Sequence, residues 1–179
     1  TLGVLIVLAS GAVSLGAIAF AYLSENLPDP GTLTDRLIAE STKIYDRTGE
    51  ILLYEIHGDE KRTVVQFDSI PDYFKQATIA IEDKNFYSHP AFDWRALVRV
   101  LVTNVLKGEV KGGSTITQQL AKNVFLSPEK TLSRKIREIV LAIQIEKRYT
   151  KDEILEMYLN QIPYGANSYG VETASQTYF

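Results

Sequence analysis

The chain of 179 residues has no cysteine and only two histidines, His57 and His89. The missing cysteines exclude disulfide bonds, thiolate metal sites and a cysteine nucleophile, and the few histidines argue against a metal site built from several imidazoles. An excess of positive charge is missing too, because the net charge is −3. Such a balance gives no general attraction to nucleic acid, so no nucleic-acid partner is expected.

Charge is also missing from the N-terminal end. No side chain from Leu2 to Leu23 is charged, and the first charged residue of the chain is Glu25. As a helix this run would measure about 33 Å, enough for the ~30 Å hydrocarbon core of a bilayer. A cleaved signal peptide is the alternative, but the run is longer than a typical signal core and has no clear small-x-small cleavage site. We therefore expect residues 1–23 to form a transmembrane helix.

The remainder of the sequence indicates a mainly α domain behind a linker. Residues 24–42 include Pro28, Pro30 and Gly31 and are typical of a linker. Two β-prone runs within 43–56 flank a turn-forming tetrapeptide and predict a short β-hairpin. Later apolar spacing predicts a helix that ends at Glu82, then helices over about 94–106, from about 115, over about 131–148 and over 151–160.

Glu82 lies at the far end of the first of these helices. Taken alone, a solvated carboxylate at a helix end is the favoured interpretation. A chemical role would be proton abstraction from a sugar hydroxyl, which needs a carboxylate whose pKa is raised by an apolar setting. The apolar residues before Glu82, with Phe86 after it, are expected to supply that setting. Asp83 points in another direction and is expected to organise the loop rather than share the proton.

A phosphate cradle is predicted where Gly112 and Gly113 precede a helix start. Free backbone N–H groups and the positive end of the helix dipole meet at such a point. An ordinary loop with a helix cap would explain the glycines, but not the dense polar side chains that follow them. Those side chains are Ser114, Thr115, Thr117, Gln118, Gln119 and, one turn further on, Lys122.

Glu138 is the second candidate carboxylate. It lies four residues after Arg134 on a helix with apolar residues on two sides, so the pair can touch and the helix is expected to be buried on both sides. A structural ion pair and a functional role are equally supported. In the functional case Glu138 holds a divalent cation at a pyrophosphate, while Arg134 and Lys135 neutralise phosphate oxygens. His89, beside Pro90, is expected to hold a loop in place rather than act as a base.

Four motifs in a fixed order carry a family resemblance. They are Glu82-Asp83-x-x-Phe86-x-x-His89, Gly112-Gly113-Ser114-Thr115-Ile116-Thr117-Gln118-Gln119, Arg134-Lys135-x-x-Glu138 and Ile154-Leu155-Glu156-x-Tyr158-Leu159-Asn160. The chain resembles the peptidoglycan glycosyltransferase domain of class A penicillin-binding proteins and monofunctional transglycosylases, glycosyltransferase family 51. The resemblance covers residues 43–179, and a fifth motif begins at Gly170. Because the family pattern continues past Phe179, the implied domain is truncated at its C-terminal end.

The resemblance implies a lysozyme-like fold of two lobes, with a single-pass anchor in the cytoplasmic membrane and the catalytic domain on the outer (periplasmic or extracellular) face. It implies processive polymerisation of lipid II into β-1,4-linked glycan strands for cell wall synthesis and cell shape. The reaction inverts the donor anomeric carbon and releases polyprenyl pyrophosphate. The implied partners are lipid II, the glycan linked to polyprenyl pyrophosphate, the membrane and other proteins of cell-wall synthesis.

The resemblance also implies roles for single residues. Glu82 would be the general base that deprotonates the acceptor hydroxyl, and Glu138 would lie on the pyrophosphate side, in some members through Mg²⁺ or Mn²⁺. The apolar segment 94–106 would enter the membrane. The implied substrate-binding residues are Asp83, Ser114, Thr115, Gln118, Gln119, Lys122, Asn123, Arg134 and Lys135.

Two other functions compete with this one. A lysozyme-like hydrolase or lytic transglycosylase would share the first glutamate but degrade glycan, and it has no use for a basic, amide-rich pyrophosphate site. A catalytically inactive membrane scaffold is the third hypothesis, and the presence of both carboxylates argues against it.

Overall fold

The structure is a computed structural model that describes Gly3, Gly11 and residues 27–33, 41–56, 61–91 and 113–179. Among these residues, no helix combines the length and the apolar character needed to cross a bilayer. The transmembrane helix predicted over 1–23, apart from the two glycines, and the helix predicted over 94–106 lie outside the described residues and stay predictions.

The described residues are mainly helical, as the sequence predicts, and they include two small sheets. We number the elements in chain order. Strands β1 (Thr42–Tyr45), β2 (Leu52–Ile56) and β3 (Lys61–Arg62) precede helices α1 (Asp72–Glu82), α2 (Ile116–Phe125), α3 (Leu132–Arg148) and α4 (Lys151–Gln161), which are followed by strand β4 (Ser168–Tyr169) and helix α5 (Val171–Tyr178). Two short 3-10 turns, Pro30–Thr32 and Phe67–Ser69, complete the order.

The predicted hairpin is confirmed. Strands β1 and β2 pair in antiparallel fashion, with Thr42 opposite Ile56. The side chain of Asp46 closes the turn, because its carboxylate accepts hydrogen bonds from the Thr48 hydroxyl and the Ile51 N–H. The second sheet, in which β3 runs parallel to β4, was not predicted.

The predicted starts of the later helices are confirmed by their caps. The hydroxyl of Thr115 accepts from the N–H of Gln118 at 3.2 Å, and Thr131 caps α3 in the same way. At the start of α4, Thr150 and Glu153 form a reciprocal capping box. Each cap satisfies N–H groups that a helix start leaves unpaired.

Helix α2 packs against α3 and α4 around one core. Fully buried side chains from these helices include Ile116, Leu120, Leu141, Ile145 and Leu155. The prediction that α3 is buried on two sides is wrong, because Leu132 is 78% exposed and the side chains in line with it are half-buried. The side that carries Glu138, with Leu141 and Ile145, faces the core and packs against α2.

The motif of residues 154–160 holds an extended segment in place. The side-chain amide of Asn160 pairs with both the N–H and the carbonyl of Val65, at 3.0 and 2.9 Å. The carboxylate of Glu156 accepts from the N–H of Phe67 at 2.9 Å. These bonds supply hydrogen-bond partners to backbone groups of Val65 and Phe67. They also hold in place the segment that leads into α1.

Gly170 gives a test of this packing. Its φ is +82°, and a Cβ there would lie 2.8 Å from the carbonyl oxygen of Asn160. We expect Gly170→Ala to lower the free energy of unfolding by at least about 2 kcal/mol, because the backbone would be strained and the carbonyl displaced. Gly49→Ala is the matched control, since Gly49 has φ +77° but open space around it, and it should cost only about 1 kcal/mol. Equal losses in chemical denaturation would contradict this explanation.

Candidate active site

Glu82 lies at the C-terminal end of α1, next to α2. Its Oε2 accepts a hydrogen bond from the side-chain Nε2 of Gln119 at 2.8 Å. The apolar setting predicted for Glu82 is wrong, because Glu82 is exposed and the neighbouring Ile81 is 81% exposed. Helix α1 instead turns Phe74 and Ile79 towards the core. Glu82 is therefore a carboxylate open to solvent and held from one side by an amide.

Asp83 connects the two helix ends. Its Oδ2 accepts from the backbone N–H of Ile116, the first residue of α2, at 3.1 Å. Its Oδ1 lies 2.6 Å from Nε2 of His89. A carboxylate at a helix N-terminus is favoured by both the free N–H groups and the helix dipole. This is the loop-organising role predicted for Asp83, and its binding to substrate stays a prediction.

The surroundings of His89 favour its charged form. Its Nε2 faces the Asp83 carboxylate, and its Nδ1 lies 2.7 Å from the carbonyl oxygen of Pro90. Both partners are acceptors, and only the imidazolium can donate to both of them. Burial lowers the pKa of His89, but the hydrogen bonds to Asp83 and Pro90 outweigh it and raise the pKa above the ordinary value. His89 therefore holds the loop, as predicted.

A second cluster surrounds Glu138, which is only 2% exposed. Arg134 donates from Nη1 to Oε2 of Glu138 at 2.8 Å, and Lys135 donates to Oε1. The Lys135 ammonium also donates to Ser114 Oγ at 2.7 Å and to Gln118 Oε1 at 3.0 Å. Three acceptors thus match its three protons. One buried carboxylate and two cations leave this cluster with one net positive charge.

The start of α2 is tied to the loop after His89. The carbonyl oxygen of Ala91 accepts from the hydroxyl of Thr115 at 3.3 Å and from the side-chain amide of Gln118 at 3.1 Å. Both of these side chains are buried. Ala91 itself is only 3% exposed. Gly112, the first residue of the predicted cradle, lies outside the described residues.

A cavity of about 440 Å³ adjoins the cationic cluster. Basic side chains and amides line it, among them Lys122, Asn123, Lys130, Arg134 and Gln161. Within the part of the chain that the structure describes, Nε of Arg134 and Oε1 of Gln161 are buried without a hydrogen-bond partner. A cavity with several cations and amide side chains at its wall suits an anionic, hydrogen-bonding ligand.

Comparison with known proteins agrees with these features. The transglycosylase family matches residues 49–179. The chain is 46% identical to penicillin-binding protein 1A of Aquifex aeolicus over 170 residues, which are 94% of this chain and 23% of that protein. It is 45% identical to penicillin-binding protein 1A of Escherichia coli over 161 residues (89% and 19%). It is 44% identical to penicillin-binding protein 1A/1B of Bacillus subtilis over 180 residues (100% and 19%).

The chain belongs to the transglycosylase family. This is the glycosyltransferase family 51 that the motifs indicate. The chain spans about a fifth to a quarter of the length of these relatives.

The transglycosylase domain brings most of the predicted site residues into two neighbouring groups. Gln119 joins Glu82, whereas Gln118, Ser114, Arg134 and Lys135 surround Glu138. Lys122 and Asn123 line the cavity beside the second group. Because Gln118 and Gln119 are consecutive residues of α2, this helix start stands between the two carboxylates.

Sequence reasoning missed three residues of this site. Lys130 and Gln161 line the cavity, and Tyr158 donates from its hydroxyl to Oε1 of Gln119 at 3.2 Å. From the sequence, Tyr158 is named only as a member of the motif of residues 154–160 and is given no role. Its place in that motif, between the polar residues Glu156 and Asn160, is the sequence signal that could have found it.

The surroundings of Glu138 do not fit a divalent cation in the transglycosylase domain as described. Both carboxylate oxygens already accept from cationic side chains, and two neighbouring positive charges repel a metal ion. Residues 27–33, 41–56, 61–91 and 113–179 also contain no group of three acidic or histidine side chains able to hold one. A metal requirement stays a prediction, and the steps proposed below do not use one.

The protonated His89 makes stability depend on pH. Its folded pKa lies above the ordinary value of 6.5, so its stabilisation is complete below about pH 6.5 and is lost as the pH rises through the folded pKa. We expect the free energy of unfolding of the wild type to fall over that interval. His89→Gln should remove this component and flatten the profile, measured by denaturation between pH 5.5 and 9, roughly the range in which histidine titrates. Identical pH profiles for the two proteins would contradict the assignment.

Proposed function

We propose that this chain polymerises lipid II into β-1,4-linked glycan strands, with Glu82 as the general base. The carboxylate takes the proton of the 4-hydroxyl of the incoming lipid II, and the resulting oxygen attacks the anomeric carbon of the growing glycan. The bond from that carbon to the pyrophosphate oxygen breaks, and polyprenyl pyrophosphate leaves. Inversion at that carbon needs no covalent glycosyl-enzyme.

The different surroundings of the two glutamates carry this proposal. Glu138 is buried, and each of its carboxylate oxygens is bound by a cationic side chain, so it is poorly placed to accept a proton from substrate. Glu82 is exposed, and its one hydrogen bond among the described residues leaves carboxylate lone pairs available. Carboxylates in contrasting environments take different roles, which assigns proton transfer to Glu82.

The positions of the cationic side chains indicate where the pyrophosphate leaving group binds. Attack at the anomeric carbon leaves negative charge on the departing pyrophosphate, and positive side chains in a partly buried site stabilise such charge. Lys122, Lys130 and Arg134 line one cavity beside Lys135. We propose that this cavity receives the donor pyrophosphate, with Glu138 holding Arg134 and Lys135 in position.

The same arrangement argues against a degradative enzyme. Hydrolases that cleave glycosidic bonds commonly use two carboxylates across the bond, one as acid and one as base or nucleophile. Here the second carboxylate is neutralised by Arg134 and Lys135. A lysozyme-like lytic transglycosylase that uses Glu82 alone is the remaining alternative, and it would leave the basic cavity without a function.

The setting of the reaction is part of the proposal. We place the catalytic domain on the outer face of the cytoplasmic membrane, anchored by residues 1–23, with a lysozyme-like arrangement of two lobes. The relatives named penicillin-binding proteins support a role in cell-wall synthesis. A lipid-linked donor and acceptor are consistent with an apolar anchor that keeps the enzyme at the membrane surface.

Glu82→Gln tests the assignment of the base. The variant keeps a side chain of the same size but cannot accept the proton, so we expect turnover of labelled lipid II to fall at least about 100-fold. Because Glu82 is exposed, the free energy of unfolding should change by less than about 0.5 kcal/mol. Glu50→Gln, an equivalent change of an exposed residue in the turn of the hairpin, should keep wild-type turnover.

Sizing of the products separates the three hypotheses. Long glycan chains from lipid II, absent with Glu82→Gln, support the polymerase. Fragments from isolated cell-wall glycan without any product from lipid II would support the lytic enzyme. Equal polymerisation by Glu82→Gln and the wild type would remove Glu82 from the chemistry.

A further inference from the structure

A buried tyrosine stands behind Glu82. Tyr158, on α4, is 2% exposed, and its hydroxyl donates to Oε1 of Gln119 at 3.2 Å. The other end of the same amide donates from Nε2 to Oε2 of Glu82 at 2.8 Å. Three side chains from three helices therefore form one directional chain of hydrogen bonds. The proposed function uses Glu82 but assigns nothing to Tyr158.

The Glu82 carboxylate sets the direction of this chain, and the phenol completes it. A glutamine amide has a donor end and an acceptor end, and either end can face a neighbour. Because the carboxylate only accepts, the donor end of the amide faces Glu82, and the acceptor end Oε1 is left to the phenol, which donates to it and holds the amide from the side of α4. In the reverse orientation a carbonyl oxygen would face the Glu82 carboxylate, and two acceptors repel each other.

The environment of Tyr158 keeps the hydroxyl protonated. Burial raises the pKa of Tyr158 well above its ordinary value, and the negative charge of Glu82 and the nearby Tyr164 raise it further. The group is therefore a neutral phenol, able to donate, at neutral pH.

We propose that Tyr158 is a positioning residue, which fixes the amide of Gln119 and, through it, the Glu82 carboxylate. This inference rests on the proposed role of Glu82 as the base. It also distinguishes the two carboxylate oxygens. Oε2 is occupied by Gln119, whereas Oε1 has no hydrogen-bond partner within the described ranges, so Oε1 is the oxygen that takes the proton from the acceptor hydroxyl.

Tyr158→Phe is the direct test, because it keeps the buried ring and removes only the hydroxyl. In the full chain supplied with labelled lipid II, we expect kcat to fall about fivefold to tenfold, the value of one lost hydrogen bond, with KM unchanged. Tyr164→Phe is the matched control. The hydroxyl of Tyr164 is also buried but has no partner among the described residues, so its removal should leave kcat unchanged. An unchanged kcat in Tyr158→Phe would overturn the proposal.

A double-mutant cycle tests whether Tyr158 acts through Gln119. Gln119→Ala removes the amide that the phenol orients. If Tyr158 acts only on that amide, Tyr158→Phe should lower kcat in the wild type but have no further effect in the Gln119→Ala background. Fully additive losses would show that Tyr158 acts by another route and would overturn the proposal.

An NMR measurement tests positioning without turnover. We expect the side-chain ¹⁵N amide resonances of Gln119 to shift in Tyr158→Phe, and its amide protons to exchange faster, with neither change in Tyr164→Phe. Unchanged Gln119 resonances in Tyr158→Phe would overturn the positioning role. If the wild type gives no glycan from lipid II, the proposed function fails, and these resonances still decide whether Tyr158 orients Gln119.

Discussion

The rest of the site depends on the Asp83 carboxylate, which joins the end of α1 to the start of α2. One of its oxygens accepts from the first N–H of α2 and the other from the protonated ring of His89. Glu82 is the last residue of α1 and Gln119 belongs to the first turn of α2, so this junction sets the distance between them. A carboxylate held by an N–H group and an imidazolium makes two strong bonds at once. The proposed base is therefore placed by the residue beside it in the sequence.

The start of α2 then divides the site into two parts of different charge. Gln119 faces the solvent-exposed Glu82, while Gln118, the preceding residue, contacts Lys135 in the cationic cluster around Glu138. The start of α2 thus contacts both the exposed carboxylate of Glu82 and a cation of the cluster around Glu138. Transfer of a sugar from a pyrophosphate requires such a separation, because the base must keep its negative charge while the leaving group meets positive charge. A shared cluster would pair the base with the cations and remove its basicity.

Much of this arrangement follows from local sequence, and the rest depends on contacts between distant residues. The starts of α2, α3 and α4 could be predicted from the sequence, and the structure caps them at Thr115, Thr131 and Thr150. Such starts are accessible from local sequence because capping is decided within four residues. The setting of Glu82 was predicted wrongly, since apolar spacing alone does not show which side of α1 faces the core. The bonds from Asn160 to Val65 and from Tyr158 to Gln119 join residues far apart in sequence. No local pattern reveals such partners before the chain is folded.

The most direct test of the account is the rate of glycan polymerisation by Asp83→Asn. An amide of the same size can accept one of the two hydrogen bonds but presents an N–H group to the other donor, so the junction opens while Glu82 remains. We predict that the rate per folded molecule, measured with labelled lipid II, falls at least about tenfold, and that the free energy of unfolding drops by about 1–3 kcal/mol. A variant that polymerises at the wild-type rate with unchanged stability would contradict the claim that Asp83 places the base.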